Sequence, residues 1–360
     1  MTTWPYPHPA PGVYFNMPFA DYLAIPALQS SSLKNLLVSG PNFWAESWLN
    51  PFRKNEDKQH FALGRAYHKR ILEGRDAFYA EYATDWEDPG DPDIIRTTEE
   101  LRGALALAGQ KTTFKTKDAG IRLLMEAAPQ RRIAEVMRAR HMAGNEDKEA
   151  LPAQTIREIE LTAKSIECNP HINTWLAGGQ PEVTVIWITP EGGFLPPGLL
   201  MKARFDYLKV GAVVDLKTFA NEKGKQIDKA IDYAIAGNKY FVQSALYLEA
   251  AEQARRLIEA GSVVYMRGIA PEPAWLSAFT GTVVMQFRFI FSQKGMAFVT
   301  AGRIHDRRNE ALMAQGNARL VQACQTFNRY HKAFGRDLWV GMDAPQHIDF
   351  NTLPAFAGDL

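Results

Sequence analysis

Residues 201–219 read MKARFDYLKVGAVVDLKTF, and this stretch predicts a β-hairpin that decides the fold. Two apolar-rich runs, 200–208 and 212–219, flank Val210 and Gly211, which we predict to form a two-residue loop. With that loop, Asp206 lies directly opposite Asp215 on the neighbouring strand. The hairpin therefore brings two carboxylates together.

Alternation along the strands assigns the remaining side chains to two faces. One face is predicted to carry Arg204, Asp206, Leu208, Val213, Asp215 and Lys217. The other, a core face, is predicted to carry Phe205, Tyr207, Val214 and Leu216. Two carboxylates and a lysine thus share one surface.

Like charges directly opposite each other destabilise a hairpin unless something offsets their repulsion. A divalent cation would do so, and paired carboxylates suit Mg²⁺ or Mn²⁺. An alternative is an ion pair of Asp215 and Lys217 with Arg204 at a solvated rim. Asp-x-Lys alone is a weak motif, but the mirror position of Asp206 favours the metal site.

Composition describes an ordinary globular protein of 360 residues, with 46% hydrophobic and 22% charged residues. The net charge of +1 requires any DNA-binding surface to be a local patch. Only Cys168 and Cys324 are present, which excludes a four-cysteine zinc or iron–sulfur site and suits a reducing cytosol. No apolar run is long enough to span a bilayer, and the start of the sequence lacks a signal-peptide pattern. We therefore expect a cytoplasmic protein without membrane partners.

The order of predicted elements is typical of a mixed α/β core with a helical insertion. We expect one domain of residues 1–360, with an extension at 1–60, a helical insertion at 94–175, and a sheet core with a C-terminal helix at 181–345. Residues 1–29 are rich in proline and aromatic residues, and we expect them to lie extended over the domain surface. Helices are predicted at 61–73, 226–237, 240–260 and 306–333, and strands at 182–189, 262–268 and 283–291.

Two helices carry further candidate site residues. Gly64 lies one turn before His68 on the same helix face, where a small residue permits close helix packing and an imidazole can bind a metal. Gln243 and Tyr247 are four residues apart on one face of the 240–260 helix. In isolation, each pattern is more typical of ordinary packing.

Taken in order, GRAYH, Glu182, Asp206, VVDLKT and QSALY resemble the motifs of the PD-(D/E)XK nuclease superfamily. The pattern is most similar to its RecE-like (exonuclease VIII) and RecB-like exonuclease branch. Residues 32–44 also resemble the serine-to-proline helical motif of RecB-like nucleases. Where cluster-containing relatives carry a cysteine before that proline, this chain has Gly40, so no iron–sulfur cluster is expected. The resemblance implies a restriction-endonuclease-like core.

The resemblance also implies residue roles. His68, Asp206, Asp215 and the carbonyl of Leu216 would hold Mg²⁺ or Mn²⁺, and Glu182 would bind a second ion or a water. Lys217 would orient the attacking water or contact the phosphate. The positioning of DNA falls to Gln243, Tyr247 and Arg204.

The function implied is a metal-dependent exonuclease of phage or prophage type, acting on double-stranded DNA ends in recombination. Its implied partners are DNA, a single-strand annealing recombinase and further copies of the chain in a ring. Aromatic residues at the N-terminus, Trp4, Tyr6, Tyr14 and Phe15, are candidates for a subunit contact or for packing on their own domain. Two other functions stay open: a structure-specific or restriction-type endonuclease, and a non-catalytic DNA-binding protein on the same fold.

Overall fold

The computed structural model of the protein describes residues 4–53, 59–221, 224–268, 270–295 and 298–344. These residues form the strands β1 Gly12–Phe15, β2 Tyr82–Thr84, β3 Glu149–Leu151, β4 Gln180–Ile188, β5 Leu200–Lys209, β6 Ala212–Phe219, β7 Val263–Tyr265, β8 Gln286–Gln293 and β9 Thr300–Asp306. The first α-helices are α1 Phe19–Ala24, α2 Ser30–Leu36, α3 Gly40–Glu46, α4 Gln59–His68, α5 Arg75–Glu81, α6 Thr98–Leu107, α7 Lys117–Ala127 and α8 Ala134–His141. The later α-helices are α9 Ala153–Cys168, α10 Ile227–Gly237, α11 Tyr240–Glu259, α12 Pro273–Thr280 and α13 Glu310–Phe334. Within the described residues, no helix is long and apolar enough to cross a membrane.

The core is a seven-stranded sheet in the order β7-β1-β4-β5-β6-β8-β9. Its neighbours pair antiparallel except β1 with β7 and β6 with β8, which pair parallel. Helix α11 lies against five of these strands, and α13 packs on α11. The predicted α/β class, a mixed central sheet flanked by helices, is confirmed.

The hairpin forms in the predicted register. Tyr207 pairs with Val214, and Lys209 pairs with Ala212, leaving Val210 and Gly211 as the two-residue loop. Gly211 has a φ of 79°, a backbone region that is easily reached only by glycine. Loop chemistry therefore sets the register that places Asp206 and Asp215 at mirror positions.

Both faces of the hairpin are covered. Tyr207, Val214 and Leu216 pack together with Leu72 and Ile166 on the side of α9. The prediction placed Phe205 in the same group, but its ring instead contacts Tyr247 of α11, with centroids 5.7 Å apart. Strand alternation is interrupted close by, because Glu182, opposite Asp206, is absent from the regular β4–β5 pairing and adopts a φ of 54°.

The prediction that residues 1–29 lie extended over the domain surface is wrong for part of this segment. Strand β1 lies inside the sheet, between β7 and β4, and its four residues are buried. Four residues cannot show a clear alternation, which is why the pattern gave no strand signal. Trp4, Tyr6, Tyr14 and Phe15 are all buried on their own domain, so they offer no free surface for a neighbouring subunit.

Gly40 begins α3 at a crowded point. A Cβ built there would lie 2.5 Å from the ring of Tyr330 on α13. The preceding Ser39 caps the helix by accepting a hydrogen bond from the N–H of Asn42. A cysteine would therefore not fit at position 40 without displacing Tyr330.

The helical region between the first helices and the sheet divides into two parts. Strands β2 and β3 pair parallel, so residues 85–148 leave and return at adjacent points. Helices α6 and α7 in this excursion share a hydrophobic core of their own, on which Val136 of α8 packs. This core is formed by Ile95, Leu101, Ala104, Leu105, Ile121, Leu124, Ala128 and Ile133. Helix α9, by contrast, packs against β9 and buries Ile166 beneath the central sheet.

Lys202 of β5 is a buried lysine that contacts the N-terminal part of the chain. Its side chain is 2% exposed, and its ammonium donates to the carbonyls of Tyr22 and Ile25 at 2.7 and 2.8 Å. Burial lowers the pKa of Lys202 from 10.5 to about 7. The folded protein therefore binds this proton less readily than the unfolded chain does.

We expect the free energy of unfolding to rise with pH between 7 and 10.5 through Lys202, because the unfolded chain holds the proton that the folded protein has released. The slope should approach about 1.4 kcal/mol per pH unit. Urea unfolding across this range should show that slope in the unmodified protein and a smaller one in Lys202→Met. Parallel pH profiles for the two proteins would contradict the assignment.

Candidate active site

Four elements bring the predicted acidic and imidazole side chains together. Glu182 comes from β4, Asp206 from β5 and Asp215 from β6, while His68 is the last residue of α4. The His68 imidazole lies between two of the carboxylates, with Nδ1 3.8 Å from Glu182 Oε1 and Nε2 3.7 Å from Asp206 Oδ2. Residues more than one hundred positions apart thus form one cluster.

The backbone is irregular where the carboxylates meet. The regular pairing of β5 with β6 stops at Tyr207 and Val214, one residue before the two aspartates. The N–H of Leu216 instead donates to Asp206 Oδ2 at 2.8 Å. Glu182 sits in the left-handed region, which is uncommon for a residue with a side chain and clusters at functional sites.

His68 is the last α-helical residue before a change of helix type. A π-helical turn, Lys69–Glu73, follows it, and such turns occur frequently at functional sites. Burial favours the neutral imidazole, but the carboxylates of Asp206 and Glu182 outweigh it and raise the pKa of His68 to about 9. The imidazole is therefore a cation at neutral pH until it gives up its proton.

Asp215 and Lys217 form a close pair on β6. Lys217 Nζ lies 2.6 Å from Asp215 Oδ2, and Gln243 Nε2 donates to Asp215 Oδ1 at 2.7 Å. The alternative to a metal site, an ion pair of Asp215 and Lys217, predicted this contact. It also placed the pair beside Arg204 at a solvent-exposed rim. Asp215 is only 1% exposed, and Arg204 pairs with Glu182 instead.

The charges of the cluster shift its pKa values. Burial, followed by the charges of Asp215 and Glu182, raises the pKa of Asp206 to about 6. Burial alone would lower the pKa of Lys217, but Asp215 and Asp206 outweigh it and raise that pKa above 10.5. Lys217 is thus a permanent cation, suited to a phosphate or a water and not to proton abstraction.

Arg204 has partners inside the protein. Its guanidinium donates to Glu182, to the carbonyl of Met17 at 2.7 Å and to Thr184 Oγ1 at 3.3 Å. These contacts hold the Glu182 carboxylate in place. The predicted contact of Arg204 with DNA would have to be made in addition to them.

Tyr247 lies one turn after Gln243 and faces the same cluster. Its ring packs edge-on against Phe205 and Phe287, with both centroids 5.7 Å away. Burial, reinforced by the surrounding acidic groups, raises the pKa of Tyr247 well above 10. The phenol is therefore protonated and can only donate or accept a hydrogen bond.

The explanation predicted for Gly64 is wrong. A Cβ at this position would meet no atom within 4 Å among the residues that the structure describes, so their packing does not require the glycine.

The ligand atoms in this cluster are of the kind that a hard divalent cation prefers. Three carboxylates and one imidazole lie together in a partly buried site. The buried Asp215 Oδ2 has no hydrogen bond of normal geometry, although Lys217 lies beside it. Among the residues that the structure describes, however, no three acidic, histidine or cysteine side chains are grouped at spacings suited to an ion. In this arrangement the carboxylates are engaged by His68, Lys217 and Gln243.

Sequence patterns missed two neighbours of the cluster. Tyr240 lies three residues before Gln243, and its ring centroid is 5.3 Å from Lys217 Nζ. The helical spacing of positions 240, 243 and 247 was a signal that could have found it. Lys34 of α2 lies 5.0 Å from the same centroid, and no spacing in the sequence connects it to the hairpin.

Comparisons with known proteins place few limits on this chain. No family model matches it, and no curated protein matches it. A crystal structure from Eubacterium rectale, provisionally named an exonuclease, is 13% identical, with 77% of this chain and 87% of that chain covered. The TM-score is 0.31, a similarity too low to support an argument about this chain.

Proposed function

We propose that this chain is a divalent-metal-dependent DNA nuclease of the PD-(D/E)XK superfamily, similar to the RecE-like exonucleases. One observation carries the proposal: His68, Glu182, Asp206, Asp215 and Lys217 converge from four separate elements into one cluster. These are the positions at which the sequence matches the motifs of that superfamily.

The ligands proposed for Mg²⁺ or Mn²⁺ are His68, Asp206, Asp215 and the carbonyl of Leu216, with Glu182 beside them. A bound ion would supply charge neutralisation at the scissile phosphate and a more acidic water. Lys217 contributes a fixed positive charge and three N–H donors, which can hold a phosphate oxygen or aim a water. Gln243 orients Asp215, and Arg204 orients Glu182.

DNA ends are the proposed substrate, in a recombination or end-processing role. The test is digestion of linear DNA labelled at one end, compared with covalently closed circular DNA, in Mg²⁺ or Mn²⁺ and in chelator. We expect degradation of the linear molecule only, and only with the ion. Cleavage of the closed circle would favour an endonuclease, and DNA binding without cleavage would favour a non-catalytic protein.

We expect His68→Ala to raise the Mg²⁺ or Mn²⁺ concentration needed for half-maximal cleavage by about tenfold or more, because it removes a proposed ligand. DNA affinity in chelator should change much less. A suitable control is His171→Ala, since His171 is an exposed loop residue outside the cluster. An unchanged metal requirement in His68→Ala would show that the imidazole serves the structure only.

A further inference from the structure

Three lysines lie at the end of the carboxylate cluster that faces α2 and the start of α11. Lys34 Nζ is 5.0 Å and Lys217 Nζ is 5.3 Å from the ring centroid of Tyr240. Lys239 precedes that tyrosine in a left-handed conformation, with a φ of 52°. Three elements distant in sequence therefore direct positive charge to one place.

Lys34 lacks a carboxylate of its own. Among the described residues it forms no ion pair, and Asp215, the acid whose charge reaches it, is already bound by Lys217 and Gln243. Burial, reinforced by the charges of Lys217 and Lys239, lowers the pKa of Lys34 to about 8. A cation that is half-buried among like charges destabilises the folded protein.

An anionic ligand would relieve this repulsion. Lys34, Lys239 and Tyr240 are all half-exposed, so a ligand can reach them from solvent. Compact ammonium groups bind phosphate as point charges, and they do so at many DNA backbone contacts. Neighbouring phosphates along a strand would place a second anion close to the one held at the carboxylate cluster.

We propose that Lys34, which lies over the Tyr240 ring, and Lys239, which directly precedes Tyr240, bind a backbone phosphate of the DNA strand next to the phosphate held near Lys217. This inference rests on the proposed function, because it requires DNA in the site. It assigns to α2 a direct role in substrate positioning. The alternative is that Lys34 only covers apolar surface with its stem and extends its charge into water.

The test is the salt dependence of DNA binding, measured by fluorescence anisotropy in chelator with a labelled duplex. The logarithm of the binding constant falls as the logarithm of the salt concentration rises, and each lost phosphate contact makes this slope less steep by about 0.9. We expect this change in Lys34→Met, with a Kd about fivefold weaker near 0.15 M salt. Lys34→Arg should retain the slope, and Lys164→Met, an exposed lysine on α9, is the matched control.

Thermal unfolding separates a ligand contact from a structural one. Lys34→Met should be at least as stable as the unmodified protein, since it keeps the stem over Tyr240 and removes a cation that has no ion pair among the described residues. Equal slopes and affinities for Lys34→Met and the unmodified protein, in a preparation that cleaves DNA, would overturn this inference alone. Failure of the unmodified protein to bind or cleave DNA would overturn the proposed function as well.

Discussion

Replacement of Lys217 with methionine is expected to lower the single-turnover rate of DNA cleavage by about two to three orders of magnitude. Methionine keeps the length of the stem but removes the positive charge beside Asp215. Because the raised pKa keeps Lys217 protonated, its contribution is electrostatic at any pH near neutrality. The effect should therefore fall on the rate at saturating DNA and ion.

Lys209→Met is the matched control, because Lys209 lies at the far end of the same hairpin and donates to the carbonyl of Thr174. It should cleave normally. In chelator, DNA affinity should fall by no more than about fivefold in Lys217→Met, as for the loss of one phosphate contact, and should not change in Lys209→Met. A Lys217→Met protein that cleaves at a near-normal rate would refute the role assigned to the lysine.

Asp215→Asn is expected to abolish detectable cleavage. Asparagine keeps the shape and can still accept the hydrogen bond of Gln243, but it removes the charge proposed to bind the ion. Calorimetric titration with Mn²⁺ should show weaker binding in this variant. Asp228→Asn provides the control, since Asp228 is an exposed acid on α10 that pairs with Arg303.

The free energy of unfolding of Asp215→Asn distinguishes a loss of catalysis from a loss of folded protein. From the hairpin pattern alone, removal of Asp215 would be expected to relieve its repulsion with Asp206. The structure predicts a cost, because Asp215 is 1% exposed and neutralises Lys217. Breaking a buried pair costs about 3 kcal/mol, so Asp215→Asn should unfold at lower denaturant.

A double variant, Asp215→Asn with Lys217→Met, should recover much of this stability because it removes both charges. It should remain inactive. Recovery of cleavage in the double variant would show that the single variants failed through folding and not through chemistry.

Local patterns were sufficient for the hairpin and its surroundings. The loop at Val210 and Gly211 has a length that selects one register, so the pairing of β5 with β6 could be predicted from it. The α/β class and the long helices α11 and α13 followed from clear periodicity. Strands β2 and β3, three residues each, gave no signal.

Other elements depended on contacts that no local pattern contains. Strand β1 is a strand because β4 and β7 pair with it on both sides. Helix α12 was missed because its eight residues are too few to show a clear period. Phe205 left its predicted group and packs against Tyr247 of α11, a contact between residues far apart in the chain.

By itself, the sequence determined the α/β class, the hairpin register and the candidate residues Asp206, Asp215 and Lys217, since strand alternation and loop length are properties of neighbouring residues. His68 and Glu182 became candidates through the resemblance to the nuclease motifs. Only the tertiary structure decided how these charges pair. Arg204 binds Glu182, Gln243 binds Asp215, and Lys34 joins from α2. The physical reason is that electrostatic and hydrogen-bond energies depend on distance and burial in space, which chain separation does not reveal.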